Sequence, residues 1–190
     1  MKEILIKYMA DYTSLSELQQ HSIMEELVIE KFKKGTYLIK QQDFTTKKCF
    51  FVLKGCVRQY HLDEAGNEIT SNFYTEEQAI LLNYEDADHL SKYALTCVED
   101  CVLVVADLES EQKMYMEYSG LESMTHRMME NYLCQTQDEF TTFIHSSPEA
   151  RYKTITQSRP DLLKRVPQHQ LASYLGMTPE SLSRIKKRIQ

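Results

Sequence analysis

Two side chains four residues apart near the C-terminus, Glu180 and Arg184, carry the sharpest chemistry in this sequence, with Ser183 beside them. Residues at that spacing share one face of a helix. On such a face an arginine can grip O6 and N7 of a guanine, and a carboxylate can accept from N4 of a cytosine. Lys186, Lys187 and Arg188 follow, and they would attract phosphates without choosing among sequences. The chemistry these types fit is base reading on double-stranded DNA. The plain alternative is an amphipathic helix with a solvated basic end.

Other candidate groups fit less well. Five cysteines stand at 49, 56, 97, 101 and 134. An odd number without paired spacing suits reduced thiols better than a disulfide framework. Cys97 and Cys101 are the close pair; alternation would put both on one face of a single strand, as two small buried residues. A metal-dependent jelly-roll enzyme would need His-x-His with a nearby Glu and a further His. The strand-rich region offers His61 and His89, far apart in the chain. The expectation is no catalytic residue, no metal and no cofactor. No apolar run approaches the roughly 20 residues of a membrane span, and Met-Lys-Glu-Ile-Leu lacks the shape of a signal peptide, so a cytoplasmic protein is expected.

Reading bases requires a scaffold, and residues 166–190 supply its parts. A helix-turn-helix needs a small residue where its helices cross and a residue tolerant of positive φ in the turn; Ala172 and Gly176 provide them. Leu171, Leu175, Met177, Leu182 and Ile185 recur at helical spacing for the inner faces. Thr178 as N-cap and Pro179 at the first helical position start the second helix, over about 178–189. Charge supports the assignment. Residues 151–190 hold nine Lys or Arg against Asp161 and Glu180, a charge of +7; the chain totals −6, so residues 1–150 carry −13. An acidic body with one basic appendage directs a polyanion to that appendage.

Upstream the texture changes twice. Residues 3–27 are helical in character, with a stripe of Ile4, Leu5, Tyr8 and Met9 and a capping box read over Ser14-Leu15-Ser16-Glu17. From Val28 the period becomes two. Segments 28–32, 36–40, 49–53, 56–61, 69–74, 94–98 and 102–106 are short, apolar and separated by turn signals, which indicates a sandwich or jelly roll. Residues 107–145 then read as one helix of ~37 residues, spanning ~55 Å, with a stripe of Met129, Leu133, Thr136, Phe140 and Phe143 and a rotated one of Leu121, Met124 and Met128. A helix of that length is expected to pack on its own copy through a methionine-rich seam, the alternative being the β-domain of the same chain. The fold class is thus α+β in three parts: a β jelly roll over 1–106, a connecting and dimerisation helix over 107–145, and a helix-turn-helix domain over 146–190.

That order resembles the Crp/Fnr family of bacterial transcription regulators. The resemblance rests on Phe32-Lys33-Lys34-Gly35-Thr36-Tyr37-Leu38-Ile39, on Cys49 to Arg58, on Gly66-Asn67-Glu68, and on the string from Leu171 to Ile185. The C-terminal string looks like the short members common in Bacteroidetes. The resemblance implies a homodimer that binds DNA and contacts RNA polymerase, with Glu180 and Arg184 reading bases and Ser183 at a position some members also use. Thr178, Gln168 and His169 match positions that contact phosphate in the family, and Lys187 and Arg188 would add backbone contacts. The prototype carries an arginine directly before that glutamate; here Pro179 stands there, so the prototype's operator is not carried over. Nor is its ligand. Cyclic-nucleotide-binding members have a Gly-Glu-Leu stretch and an Arg-Ser/Thr-Ala triplet, whereas residues 77–94 contain no glycine and no arginine and carry Glu77, Glu85, Asp86 and Asp88. Lys92 lacks the planar fork of an arginine. The effector is unknown; a true cyclic-nucleotide receptor is the alternative reading.

Overall fold

A computed structural model describes residues 4–6, 9, 15–44, 48–81 and 90–189. Short segments rich in apolar and β-branched residues build eight strands among these residues: β1 (Val28–Phe32), β2 (Tyr37–Ile39), β3 (Lys48–Lys54), β4 (Val57–Leu62), β5 (Glu68–Tyr74), β6 (Ala79–Ile80), β7 (Ala94–Cys97) and β8 (Cys101–Asp107). They form two four-stranded sheets in the orders β1-β8-β3-β6 and β2-β7-β4-β5, with every pair antiparallel. Phe50, Val52, Val57, Leu95 and Leu103 fill the space between the sheets. β8 reads as an unbroken apolar run because both of its faces are covered. Leu103 and Val105 point into that core, while Val102 and Val104 pack with Leu53 on the other side, beneath Leu5, Leu27 and Phe51.

The turn between β7 and β8 corrects the strand reading of the cysteines. Cys97 ends a strand of one sheet and Cys101 begins a strand of the other, so they do not share the face of one strand. Three residues, Val98 to Asp100, cross between the sheets there. Gly55 makes that crossing possible: its φ is +107°, and a Cβ would lie 2.6 Å from the Cys101 Sγ and 2.8 Å from its Cα. Cys56 beside it is fully buried, and burial pushes its thiol up to about 12. All five cysteines are free.

Residues 4–6 and 9 are helical, and seven further helices follow or flank the sheets among the described residues: α1 (Glu17–Glu26), α2 (Leu108–Glu117), α3 (Ser119–His145), α4 (Pro148–Ser158), α5 (Leu162–Arg165), α6 (Gln168–Tyr174) and α7 (Pro179–Ile189). α1 starts at Ser16, and its capping box is Ser16 with Gln19. That replaces the box read at Ser14, which lies outside the described residues, as does Tyr8 of the N-terminal stripe.

Residues 107–145 are two helices, not one. The break falls at Tyr118, whose φ of −124° and ψ of 88° are not helical. Its ring is buried with Met9, Ile23, Met24 and Leu121, and its hydroxyl donates to Glu26. Burying that ring and starting α3 afresh outweighs the continuity that propensity alone favours. α3 shows two faces. Leu121 is buried and Met124, Met128 and Tyr132 are half-buried, the side turned to its own chain. Met129, Leu133, Phe140 and Ile144 form the exposed stripe, at 42%, 58%, 64% and 56% exposure. The methionines therefore pack mostly within the chain, and the exposed stripe is mainly leucine, phenylalanine and isoleucine.

Candidate nucleic-acid interface

The C-terminal motif forms as its local signals dictate. Ala172 is fully buried at the crossing of α6 and α7, and Gly176 turns the chain at φ +67°. Leu171, Leu175, Leu182 and Ile185 are buried, joined by Tyr152, Ile155, Leu162 and Val166 in one core. The Thr178 hydroxyl accepts from the Ser181 N–H, and Pro179 opens α7. Ser147 caps α4 in the same manner, with Pro148 behind it.

The inner face being committed to this core, the outer face of α7 is what remains. Glu180 and Arg184 are exposed, and Ser183 beside them is half-buried. The Glu180 carboxyl is held below its usual range by its own backbone N–H at the helix start, by the Thr178 hydroxyl and by the charge of Arg184. It is therefore ionised at neutral pH, the state that accepts from a base amine. Thr178, Gln168, His169, Lys187 and Arg188 are exposed on the surface of the same domain. Arg188 is engaged: its guanidinium lies 3.5 Å from Glu149, which also takes Lys153 at 3.2 Å. A phosphate would have to replace that carboxylate. Among the described residues no three His, Cys, Asp or Glu side chains converge as a metal site; His61 is exposed, and His89 lies outside those residues. Most of the acidic 77–94 segment, residues 82–89, also lies outside them.

Sequence reasoning missed how the helix-turn-helix is seated. α6 lies on β5, an edge strand whose outward groups have no strand to pair with. The Ser173 hydroxyl supplies what is missing there, accepting from the Thr70 N–H at 2.9 Å and donating to the Glu68 carbonyl at 3.0 Å. Tyr174 meets Phe73 edge to face with ring centres 5.4 Å apart. Arg159 donates to the Phe73 carbonyl at 2.9 Å. Cys56, Phe73 and Val98 of the β-domain belong to the same apolar core as the helix-turn-helix.

An ion clasp completes the seat. Arg165 of α5 grips both oxygens of Glu76 at 2.8 and 2.9 Å and reaches Glu99 at 3.0 Å and Asp161 at 3.2 Å. Glu76 also accepts from the Gly55 N–H at 2.8 Å. Burial pushes the Glu76 carboxyl up, but the bonds from Arg165 and Gly55 outweigh it and leave it below its usual value. No periodic pattern links residues 76, 99 and 165, so the clasp had no signature in the sequence.

Comparison with known proteins agrees with this architecture. Residues 29–118 match the cyclic nucleotide-binding domain family. No curated protein matches the sequence. Among solved structures, FixK2 from Bradyrhizobium japonicum aligns at a TM-score of 0.71 and 15% identity, covering 86% of this chain and 84% of its own. A CooA variant from Carboxydothermus hydrogenoformans aligns at 0.68 and 15% identity, covering 97% and 83%. A transcriptional regulator of the crp/fnr family from Eubacterium rectale aligns at 0.65 and 17% identity, covering 97% and 88%. What these structures share with the chain is the fold, over most of its length. No helix among the described residues is long and apolar enough to cross a membrane.

Proposed function

We propose that this chain, which has the fold of the Crp/Fnr transcription regulators and carries a cyclic nucleotide-binding family domain over residues 29–118, is a cytoplasmic regulator that reads DNA as a homodimer. The observation that carries the reading is α7: Leu182 and Ile185 are buried on its inner face while Glu180 and Arg184 stand exposed on its outer one. α7 enters the major groove, Arg184 and Glu180 contact base edges, and Ser183 contributes where its half-buried hydroxyl reaches. Thr178, Gln168, His169, Lys187 and Arg188 fix the register on phosphates. The exposed stripe of α3 packs on its copy and sets the spacing of the two reading helices. RNA polymerase is the expected further partner.

The β-domain serves as a scaffold and seat rather than as a receptor for cyclic nucleotides. Residues 77–94 offer neither the glycine that opens a phosphate nest nor an arginine to clamp the phosphate.

Selection of bound genomic fragments at stated salt tests the function, and Arg184→Ala tests the mechanism. The variant is expected to lose discrimination at one base pair per half-site, about 1–3 kcal/mol, while keeping non-specific binding. Absence of any enriched sequence would overturn the DNA-reading function; an unchanged preference in the variant would remove Arg184 as a reader.

A further inference from the structure

Where the long helix meets the reading head, α3, α4 and α6 enclose a cleft of about 280 Å³. Its walls are chemically unlike the rest of the molecule. Two guanidinium groups line it, Arg151 and Arg159, and the acceptors described for both are neutral. Arg151 donates to the Phe143 carbonyl at 3.1 Å and the Leu175 carbonyl at 3.2 Å. Arg159 donates to the Phe73 carbonyl and to the Thr75 hydroxyl. Among the described ion pairs neither is joined to a carboxylate, in contrast to Arg165 a few residues away. Each keeps N–H groups beyond those bonds, and positive charge in a concave, half-buried setting favours an anion.

The remaining lining limits what that anion can be. The Arg151 guanidinium covers one face of Phe143 at 3.8 Å and Tyr174 packs on Phe73, so the other face of Phe143 and the remaining surface of Tyr174 are what the cleft presents; the Tyr174 hydroxyl lies beside Arg159, and Thr142 offers a hydroxyl from α3. Asp138 and Glu139 stand on the α3 side. With Asp138 and Glu139 the formal charge of the lining is balanced, so attraction depends on direct contact with the two guanidinium groups, and the carboxylates would repel a doubly charged phosphomonoester or a nucleotide more strongly than a single carboxylate. The volume suits a ligand of small-metabolite size. The exposed stripe of α3 lies on another side of that helix, so a copy packed on the stripe would leave the cleft open.

We infer that this cleft is a binding site for a small aromatic monocarboxylate. The carboxylate lies against Arg159 and Arg151, and the ring lies against Phe143 and Tyr174. It lies outside residues 29–118, the segment that matches the cyclic nucleotide-binding domain family. A ligand here touches α3, which carries the exposed stripe, and α6, which leads into the reading helix. Occupancy therefore fixes the angle between them and changes the spacing of two reading helices in a dimer. That regulatory consequence rests on the DNA-reading function proposed above; the binding itself does not.

Calorimetric titration of the full chain with 3-phenylpropanoate, its neutral alcohol 3-phenyl-1-propanol, and inorganic phosphate is the test. Saturable binding of the carboxylate alone is expected, weakened about tenfold or more by Arg159→Gln, since one charge-assisted contact is lost. Because Arg159 also helps to seat the head, Thr142→Phe provides a second variant, which fills the cleft from an exposed position of α3 and should abolish binding with the seat intact. No saturable binding of the carboxylate, equal binding of the alcohol, or binding unchanged by Thr142→Phe would each overturn the site. Fragment selection with and without the carboxylate separates the two proposals: binding without enriched DNA sinks the regulatory reading and leaves the site standing.

Discussion

Replacing Arg165 by glutamine removes the clasp between head and β-domain while keeping a polar, uncharged side chain that falls short of Glu76. The size of the effect follows from how wet the clasp is. Breaking a fully buried ion pair costs about 3–5 kcal/mol, whereas an exposed pair contributes about 0–1 kcal/mol. The Arg165 side chain is 20% exposed, against 35% for Glu76 and 34% for Glu99, so the group lies between those limits. A loss of about 2 kcal/mol at pH 7 is therefore expected, read from urea denaturation. The pH dependence carries a sign that a packing defect would not. With its carboxyl depressed, Glu76 contributes stability that is present above its unfolded value of 4.5 and is lost as pH falls through the lower folded value. The gap between Arg165→Gln and the unaltered protein should thus be widest at neutral pH and close in acid. A double-mutant cycle with Glu76→Gln should return a coupling of about 1–2 kcal/mol. Hydrogen exchange at Glu68 to Thr70 should rise in the variant, because the head leaves the edge strand more often. A gap that stays constant to pH 3, or a coupling near zero, would refute the clasp as the device that seats the head.

Gly176→Ala meets two obstacles: a φ of +67° and a Cβ 2.9 Å from the Arg151 Nη1 and 3.3 Å from the Phe143 ring. A loss of about 1–2 kcal/mol is expected by chemical denaturation, and an unchanged midpoint would mean that the turn relaxes freely. Leu133→Glu puts charge into the exposed stripe, so sedimentation should shift from dimer to monomer while monomer stability changes by less than about 0.5 kcal/mol. Sedimentation identical to that of the unaltered protein would move the seam elsewhere.

What was legible in the sequence was local. The strands of the jelly roll follow from alternation, and the helix-turn-helix follows from Ala172, Gly176, Thr178 and Pro179, each of which acts within a few residues of itself. β6 escaped because two residues carry no period. The break at Tyr118 escaped because its ring packs into a core formed with Met9, Ile23 and Met24, about 100 residues upstream. The same holds for Ser173, whose partner is strand β5, and for Arg165, whose partners Glu76 and Glu99 lie in turns of the β-domain far away in the chain. Residues Glu180 and Arg184 could be nominated early because a helix face is a short-range object. The cleft at Arg151 and Arg159 depends on how three helices meet, which no spacing along one of them encodes.

The bond from Ser173 to β5 has a consequence for solubility. When the head lifts, the Thr70 N–H and Glu68 carbonyl stand open at the margin of a sheet, next to the exposed Ile69. A second molecule in the same state offers the same margin, and two such margins can zip together into an intermolecular sheet. Variants that loosen the seat should for that reason precipitate in a concentration-dependent way before they unfold, since the Ser173 hydroxyl is what caps that margin in the seated protein.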